Sequence, residues 1–594
     1  MRFITLFLLV GCLSAQALAQ QVSVLTQHND PGRTGANLSE TVLTPSTVQP
    51  GKFGKLYSLP ADGQIYAQPL IVAGVNITGK GVLNVLYVVT MRNNVYAFDA
   101  DAKAASDPLW HVNLGNPMPY DKIPQGPQTL FGLFGGTYNI KPWIGITSTP
   151  VVDPTANRIY MVAKIVEDGP RYVNRIHVID TRNGTILART DVKFPIEGDP
   201  NDLARAHLQR PGLLLSNGMI YAAFGSHQDG IPYHGWVVAF DANSLQQKYS
   251  FCTTCGGLSG MGGIWQSGNG PVGDSSGNIY FMTGNGDFDP NDSRYGDSFV
   301  KLSSDLTQPQ WFAPADVTKL NLFDIDLGSA GPMLLPDKPW LVGGGKEGKL
   351  YLVDTKAPGG KERSHKNPPI QSFQAAAPWR FNFCNIFAWI PFIGVVYGYH
   401  HIHGSPVFWN TTLPDGRPGA YIYIWAEDDN LRAFRYDSNA TPPGRPIDTH
   451  PIKGMKDAKK GMPGGFLSIS ANQQKDGIVW AAMPLDEDSY VTDARGSMRA
   501  FKATPQNNEL QSLWCSDTEE STDEFNFAKF VPPTVANGRV YLATFSERLN
   551  VYGLFDQPTP AAGHPPCRAS KRVSTAKVRA KPVPNRKHRR QTRG

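Results

Sequence analysis

The sequence lacks two short motifs that mark common catalytic and phosphate-binding sites. It contains neither an H-E-x-x-H zinc motif nor a phosphate-binding loop of the Walker type. It also lacks a long uninterrupted apolar stretch, because its most apolar late segment, residues 381–399, contains Asn382, Asn385 and Pro391. A membrane-spanning helix in this segment is therefore not expected.

Cysteine is scarce, with 6 residues in 594. Cys252-Thr-Thr-Cys255 is the natural local candidate for a disulfide in an oxidising compartment. No histidine follows Cys255, so covalent haem attachment is not supported, and no βαβ pattern of the thioredoxin type surrounds the pair.

A net positive charge on the body of the chain is also missing. The formal charge of +6 depends on eleven basic residues between Arg568 and Arg593, and without them the balance is −5. Nucleic-acid binding by the body is therefore not expected. Residues 557–594 are basic and rich in proline, which predicts a disordered tail. Such a tail could contact anionic envelope surfaces through its charge, or it could serve only solubility.

The N-terminus has the pattern of an export signal. Arg2 precedes a short apolar run, residues 3–10, and Ala17-Leu18-Ala19 forms a small-x-small cleavage site. We therefore expect residues 1–19 to be removed and the protein to be periplasmic or secreted. Cys12 leaves open a lipoprotein alternative, in which a lipid would anchor the chain.

The dominant feature of the chain is an internal repeat of about sixty residues. A short polar segment with proline begins each copy, as at Gln68-Pro69, Thr149-Pro150 and Arg210-Pro211. A β-type run follows, and then a third run that often ends in aspartate, as at Asp99 and Asp180. Short alternating runs between turn residues are typical of antiparallel strands.

Eight copies of this repeat predict an all-β, eight-bladed propeller of four-stranded antiparallel blades. Tandem β-sandwiches are the alternative, although sandwich domains rarely repeat at this spacing. The last copy has no fourth strand after it, so residues 53–58 are expected to complete its blade. The propeller would then span residues 53–556, with residues 20–52 as an N-terminal surface arm and residues 373–403 as a lid over the channel.

The blade pattern resembles the repeat of propellers that bind pyrroloquinoline quinone (PQQ). The resemblance covers most of residues 53–556, and it is strongest at Asn94-Val95-Tyr96-Ala97-Phe98-Asp99. Three further segments are similar to secreted quinoprotein-like propellers without an assigned role, namely residues 233–236, 263–268 and 401–406. The better understood relatives are quinoprotein alcohol and glucose dehydrogenases, which hold the quinone and a calcium ion in the channel.

The resemblance assigns roles to four residues. Lys346 aligns with the cationic residue that contacts the quinone oxygens, and Asn285 aligns with a calcium ligand. Asp324 aligns best with the catalytic base, with Asp326 as the alternate. A carboxylate beside a metal and a quinone could accept the proton of a substrate hydroxyl.

The sequence also departs from the family pattern. The glutamate that ligates calcium is missing, and Asp229 is only a displaced substitute for it. The tryptophan beneath the quinone aligns near Ser267, two positions from Trp265. The adjacent cysteine pair that covers the quinone in many relatives is absent, because two threonines separate Cys252 from Cys255.

Two other clusters could bind metals. Residues 287–292 have the D-x-D-x-N opening of a calcium loop but not its glycine and glutamate, so an exposed acidic turn is the alternative. His401 and His403 alternate along the chain and could face one side, where they would bind a transition metal or only form hydrogen bonds.

Three functional hypotheses follow. The first is a PQQ- and calcium-dependent oxidoreductase that acts on an alcohol or sugar. The second is a non-catalytic scaffold that binds a protein or glycan in the cell envelope. The third is a propeller with a metal other than calcium at His401 and His403.

Overall fold

The computed structural model is an eight-bladed β-propeller. It describes residues 21–124, 139–227, 233–257, 260–363, 367–382, 395–440, 445–454, 462–485, 489, 493–518, 523–557 and 567. Each blade is a sheet built on four antiparallel strands in chain order, and the eight sheets confirm the repeat read from the sequence. No helix within the described residues is long and apolar enough to cross a membrane.

The strands of the first four blades follow one another from the channel outward. They are Leu70–Ile77, Gly81–Val89, Asn94–Asp99 and Trp110–Asn113 in blade 1; Val151–Asp153, Arg158–Glu167, Arg171–Asp180 and Ile186–Asp191 in blade 2; Leu214–Ser216, Met219–Ser226, Trp236–Asp241 and Gln247–Cys252 in blade 3; and Val272–Gly273, Ile279–Met282, Phe299–Leu302 and Gln310–Ala313 in blade 4.

The remaining blades have the same order, apart from the closure of blade 8. The strands are Met333–Leu334, Trp340–Gly343, Lys349–Asp354 and Gln371–Gln374 in blade 5; Val407–Thr412, Pro418–Ile424, Arg432–Tyr436 and Ile452–Gly454 in blade 6; Phe466–Asn472, Lys475–Pro484, Gly496–Lys502 and Ser512–Cys515 in blade 7; and Thr534–Ala536, Arg539–Leu542, Arg548–Leu554 and, from the N-terminus, Phe53–Pro60 in blade 8.

Short additional elements extend or connect the blades. Single strands join blades 3, 4, 6 and 7, and three two-stranded pairs lie outside the blades. These strands are His207–Leu208, Gly360–Lys361, Glu509–Leu510, Ala36–Asn37, Met118–Pro119 with Trp143–Ile144, Phe288–Asp289 with Arg294–Tyr295, and Pro378–Asn382 with Val395–Tyr399. The helices are Pro200–Ala206 and Val317–Leu322, with 3-10 turns at Tyr120–Lys122, Gln266–Gly268, Pro290–Asp292 and Leu327–Ser329.

The ring closes as expected, because Phe53–Pro60 pairs antiparallel with Arg548–Leu554. The aspartates that end third strands have a clear local role. The Asp99 carboxylate accepts a hydrogen bond from the amide two residues later, and Asp180 and Asp354 repeat this contact. These Asx-type turns end the strand and begin the connection to the outer strand.

Tyrosines on the second strands join neighbouring blades. The Tyr160 hydroxyl donates to the Ala242 carbonyl of blade 3, and Tyr423 donates to Ala503 of blade 7. Tyr541 of blade 8 donates to the Ala100 carbonyl of blade 1 at 2.9 Å, which spans the point of closure. Each of these tyrosine hydroxyls thus forms a hydrogen bond between two sheets whose faces otherwise pack through apolar side chains.

The N-terminal segment does not lie on the surface as we expected. Residues 24–37 run once around the channel and contact the beginning of each blade in turn. The partners, from blade 1 to blade 8, are Ile71, Val152, Leu213, Gly273, Leu334, Phe408, Ile469 and Val535. The expectation was wrong because the exposed inner edges of the sheets need hydrogen-bond partners, and this segment supplies them.

Disulfides confirm one expectation and add one bond. Cys252 and Cys255 are bonded, as the local spacing suggested. Cys515 of blade 7 is bonded to Cys567, which lies within the tail that we expected to be disordered. The disorder of the tail stays a prediction. The expected signal, residues 558–566 and 568–594 of the tail and residues 383–394 of the expected lid lie outside the described residues.

Candidate functional site

Lys346 and both candidate carboxylates meet at one end of the channel. The Lys346 ammonium lies 2.5 Å from Asp326 Oδ2 and 3.0 Å from Asp324 Oδ1. The side chains of Lys346 and Asp326 are 12% and 10% exposed, whereas that of Asp324 is 69% exposed. Asp326, the alternate candidate in the sequence, is thus the carboxylate that faces the protected site.

The charges of this pair stabilise one another. Burial acts to lower the pKa of Lys346, but Asp326 and Asp324 raise it above its ordinary value. Burial acts to raise the pKa of Asp326, but the Lys346 charge holds it below its ordinary value. Both groups are therefore ionised at neutral pH, so Asp326 is a hydrogen-bond acceptor and Lys346 a donor.

Asn285 fixes the position of the carboxylates. Its backbone amide donates to Asp326 Oδ1 at 2.9 Å, and its side-chain amide donates to Asp324 Oδ1 at 2.8 Å. Among the described residues, its Oδ1 is buried without a hydrogen-bond partner. Asn285 is thus in contact with the residues that the resemblance associated with it.

Asp297 is a third acidic group here, and the sequence reasoning missed it. It is fully buried, and the Leu327 amide donates to its Oδ1 at 2.9 Å. Burial and the nearby Asp326 charge raise its pKa well above the ordinary value. Its place just before the third strand of blade 4 was the only available signal, and loop aspartates are common there.

Trp265 forms an apolar wall beside this cluster. Its indole lies so close to Gly225, Gly263 and Gly284 that a Cβ at any of them would approach within 2.7 Å. The indole nitrogen donates to the Ser226 carbonyl at 3.0 Å. Gly284, the glycine before Asn285, is therefore required by the ring and by Asp326, whose Oδ1 a Cβ would approach within 2.5 Å.

Trp265, Asp326 and Lys346 line a small cavity of about 100 Å³ in the channel. Its described lining is polar on several sides and is contributed by blades 3 and 5 and by the segments that precede blades 2 to 8. The lining residues are Asn139, Leu208, Arg210, Ser226, Trp265, Ser267, Asp326, Ser329, Lys346, His403, Met462 and Phe530.

His401 and His403 lie on the neighbouring wall, opposite Glu427. His401 Nδ1 is 3.3 Å from Glu427 Oε1, and His403 Nε2 is 3.7 Å from Glu427 Oε2. Burial lowers the pKa of His401 to about 4. Burial acts against ionisation of Glu427, but the two histidines hold its pKa at about 2.

The position of Glu427 within its copy of the repeat could have identified it from the sequence. It is the third residue after the second strand of blade 6, which ends at Ile424. Asn285 and Lys346 occupy the same position in blades 4 and 5, whose second strands end at Met282 and Gly343. Equivalent positions in a propeller face the same end of the channel, so the three side chains converge.

Of the other candidates, one lies outside the described residues and two lie away from the cavity lining. Asp229 is the candidate outside the described residues. The Cys252–Cys255 disulfide ends the outer strand of blade 3 and is not part of the cavity lining. In the acidic turn, Arg294 lies within 4 Å of Asp287, Asp289 and Asp292, so a guanidinium already balances these carboxylates.

The described residues do not fit the quinone and its calcium ion as a set. The cavity of about 100 Å³ is below the ~300 Å³ at which pockets for cofactor-sized ligands begin. The Lys346 ammonium already forms ion pairs with both Asp324 and Asp326. Among the described residues, no three of the acidic groups here bring their oxygens within 4.8 Å of one another. Among the described residues that the resemblance associated with the cofactors, Asn285 Oδ1 is an oxygen atom that is still available as a calcium ligand.

Comparison with known proteins identifies the fold. No known protein family and no curated protein matches the sequence. Among solved structures, the quinohemoprotein alcohol dehydrogenase ADHIIG from Pseudomonas putida HK5 is 13% identical, with 92% of this chain and 82% of that chain covered and a TM-score of 0.51. The quinohemoprotein alcohol dehydrogenase from Comamonas testosteroni is 12% identical, with coverages of 91% and 82% and a TM-score of 0.53. The chain therefore has the eight-bladed fold of the quinoprotein alcohol dehydrogenases.

Proposed function

We propose that the channel cavity binds a small hydroxylated molecule, either an alcohol or one end of a sugar. The observation that carries the proposal is the ionised Lys346–Asp326 pair, which lines the same cavity as Trp265. Asp326 accepts a hydrogen bond from a hydroxyl, Lys346 donates one, and the indole contacts the apolar face of the carbon skeleton. The hydroxyl of Ser267, like the guanidinium of Arg210, lies on the same lining.

The finer form of the proposal is oxidation of that hydroxyl to a carbonyl, which requires an external two-electron acceptor supplied together with the substrate, and the resemblance to the dehydrogenases supports it. Asp326 is the better base candidate because it is buried at the cavity, whereas Asp324 is largely exposed. Its lowered pKa makes it a weak base, so a bound ligand that displaces Lys346 would strengthen it. Since the quinone and calcium do not fit the described residues, no step is assigned to them.

The proposal is tested with the purified full chain, Lys346→Met and Lys349→Met. Lys349 is a matched control because it lies three residues away and pairs with Glu347 and Glu362 instead of the cavity carboxylates. Alcohols and sugars are titrated by calorimetry and tryptophan fluorescence, first alone and then with PQQ and calcium. Loss of one charged hydrogen bond, about 1.5–3 kcal/mol, corresponds to roughly ten- to hundredfold weaker binding.

We expect saturable binding that weakens in Lys346→Met and stays unchanged in Lys349→Met. An unchanged affinity in Lys346→Met, or no binding of any alcohol or sugar, refutes the proposal. Saturable binding of PQQ with calcium, together with dye reduction by an added alcohol, would show that the quinone fits after all. In that case the finer form of the proposal, an oxidoreductase, is correct.

A further inference from the structure

We propose that His401, His403 and Glu427 form a binding site for a transition-metal ion of the Zn²⁺ class. The two nitrogens and a carboxylate oxygen lie within 4.8 Å of one another. This inference goes beyond the alcohol or sugar proposed above and does not depend on it.

The distances match a metal site better than a set of hydrogen bonds. Zn²⁺ lies about 2.0–2.2 Å from imidazole nitrogens and carboxylate oxygens, so two tetrahedral ligands are separated by about 3.4 Å. The separations of 3.3 Å from His401 Nδ1 and 3.7 Å from His403 Nε2 to the Glu427 oxygens are near this value. Both exceed the 2.7–3.2 Å of ordinary N–H···O hydrogen bonds.

Both facing nitrogens also lack another partner. Within the part of the chain that the structure describes, His401 Nδ1 and His403 Nε2 are buried and accept or donate no hydrogen bond. Buried polar atoms are rarely left in this state unless a ligand, ion or water completes them. The two atoms point at a carboxylate that carries a full charge, which is the arrangement that a divalent ion would complete.

The backbone around the ligands is held firmly. The Glu427 amide donates to the His401 carbonyl at 3.0 Å, and the Ser329 hydroxyl donates to the Ile402 carbonyl at 2.8 Å. The Ile402 amide donates to the Gly345 carbonyl, next to Lys346. Such contacts orient metal ligands before the ion binds.

The donor set identifies the class of ion. Two imidazoles and one carboxylate suit Zn²⁺, Co²⁺ and related ions, whereas Ca²⁺ takes six to eight oxygen ligands. A second cluster, His234 with Cys252 and Cys255, offers no thiolate because the two cysteines form a disulfide. Three protein ligands leave at least one position free, and His403 borders the cavity of Lys346. The free position would therefore accept an oxygen of a cavity ligand.

The test uses the untagged full chain after removal of bound metal with a chelator. Co²⁺ is titrated and followed by its visible absorption, and bound metal is counted by elemental analysis. The variants are Glu427→Gln, which keeps the side-chain shape, and His401→Gln, whose side chain is 31% exposed and so tolerates replacement. His450→Gln is the control, because His450 is 94% exposed and pairs with Asp448 elsewhere.

We expect one Co²⁺ per chain, displaced by Zn²⁺ and not by Ca²⁺. Loss of an outer contact weakens metal binding about 10–100-fold, so loss of a ligand in either variant should cost more than about 100-fold. His450→Gln should bind as the unmodified chain does. Absence of stoichiometric Co²⁺ binding, displacement by Ca²⁺, or binding that survives in both ligand variants would overturn the proposal. Because alcohol and sugar binding is first measured without added metal, either proposal can fail alone.

Discussion

Arg33 provides the sharpest test of how the N-terminal segment holds the propeller together. Its guanidinium is fully buried and makes five hydrogen bonds. The acceptors are the carbonyls of Pro271, Leu213 and Gln27 and the hydroxyl of Thr26, so Arg33 connects the segment to blades 3 and 4. Replacement by methionine retains an apolar stem but removes every donor.

The expected loss of stability follows from the buried acceptors that lose their hydrogen bonds to Arg33. Arg33→Met leaves the carbonyls of Pro271 and Gln27 without this donor, while Leu213 retains the Thr26 hydroxyl at 3.3 Å. A buried unsatisfied carbonyl costs about 1–3 kcal/mol, and the lost charged hydrogen bonds add to this. The variant no longer has to bury a cation, which offsets part of the loss. We expect the free energy of unfolding to fall by about 3–5 kcal/mol.

The assay is urea unfolding of the full chain followed by tryptophan fluorescence, with limited proteolysis near the N-terminus. Arg417→Met is the control, since its side chain is 66% exposed and pairs with Asp415 at the surface, and it should change stability by less than about 0.5 kcal/mol. If Arg33→Met unfolds within about 1 kcal/mol of the unmodified chain, the segment contributes little and the reasoning is wrong.

Four further predictions are independent of the channel site. Burial lowers the pKa of His28 to about 3, so the folded protein favours the neutral imidazole. The stability that His28 contributes above about pH 6.5 should therefore be lost as the pH falls toward 3, by up to about 1.4 kcal/mol per pH unit. In urea unfolding, a His28→Gln chain should show a weaker dependence of stability on pH than the unmodified chain. Tyr541→Phe should cost about 1 kcal/mol at the closure between blades 8 and 1, measured by thermal unfolding, whereas no change would contradict the hydrogen bond. Loss of the disulfide in a Cys515→Ser, Cys567→Ser chain should lower stability by about 2–4 kcal/mol, and an equal unfolding midpoint would refute this. Signal removal should place the mature N-terminus after Ala19, which sequencing of the exported protein determines; a lipid on the chain would favour the anchored form.

The fold could be predicted because each blade contains its own local signals. The aspartate turns and the alternating runs recur at the same position of each copy, so the number of blades and their closure follow from counting. The course of residues 24–37 could not be predicted in this way. Its contacts pair with eight distant strands, and its polar residues, such as His28 and Arg33, resemble those of an exposed segment. Only the folded ring shows that the hydrogen-bond donors of this segment bind acceptors in its interior.

The channel site shows the same difference between positions in the repeat, which can be compared in the sequence, and contacts between distant segments, which cannot. Lys346 and Asn285 could be proposed because their segments resemble dehydrogenase segments, yet Glu427 is at the equivalent position of its own blade and was missed. Comparison of blades with one another is therefore more informative here than comparison with relatives that are 12–13% identical. The repeat brings the third residue after the second strand of blades 4, 5 and 6 toward the same end of the channel. What occupies these positions then determines the chemistry: an amide in blade 4, an ammonium in blade 5 and a carboxylate in blade 6. Substitutions at these repeated positions can therefore change the chemistry of the channel without any change in the blades that carry them.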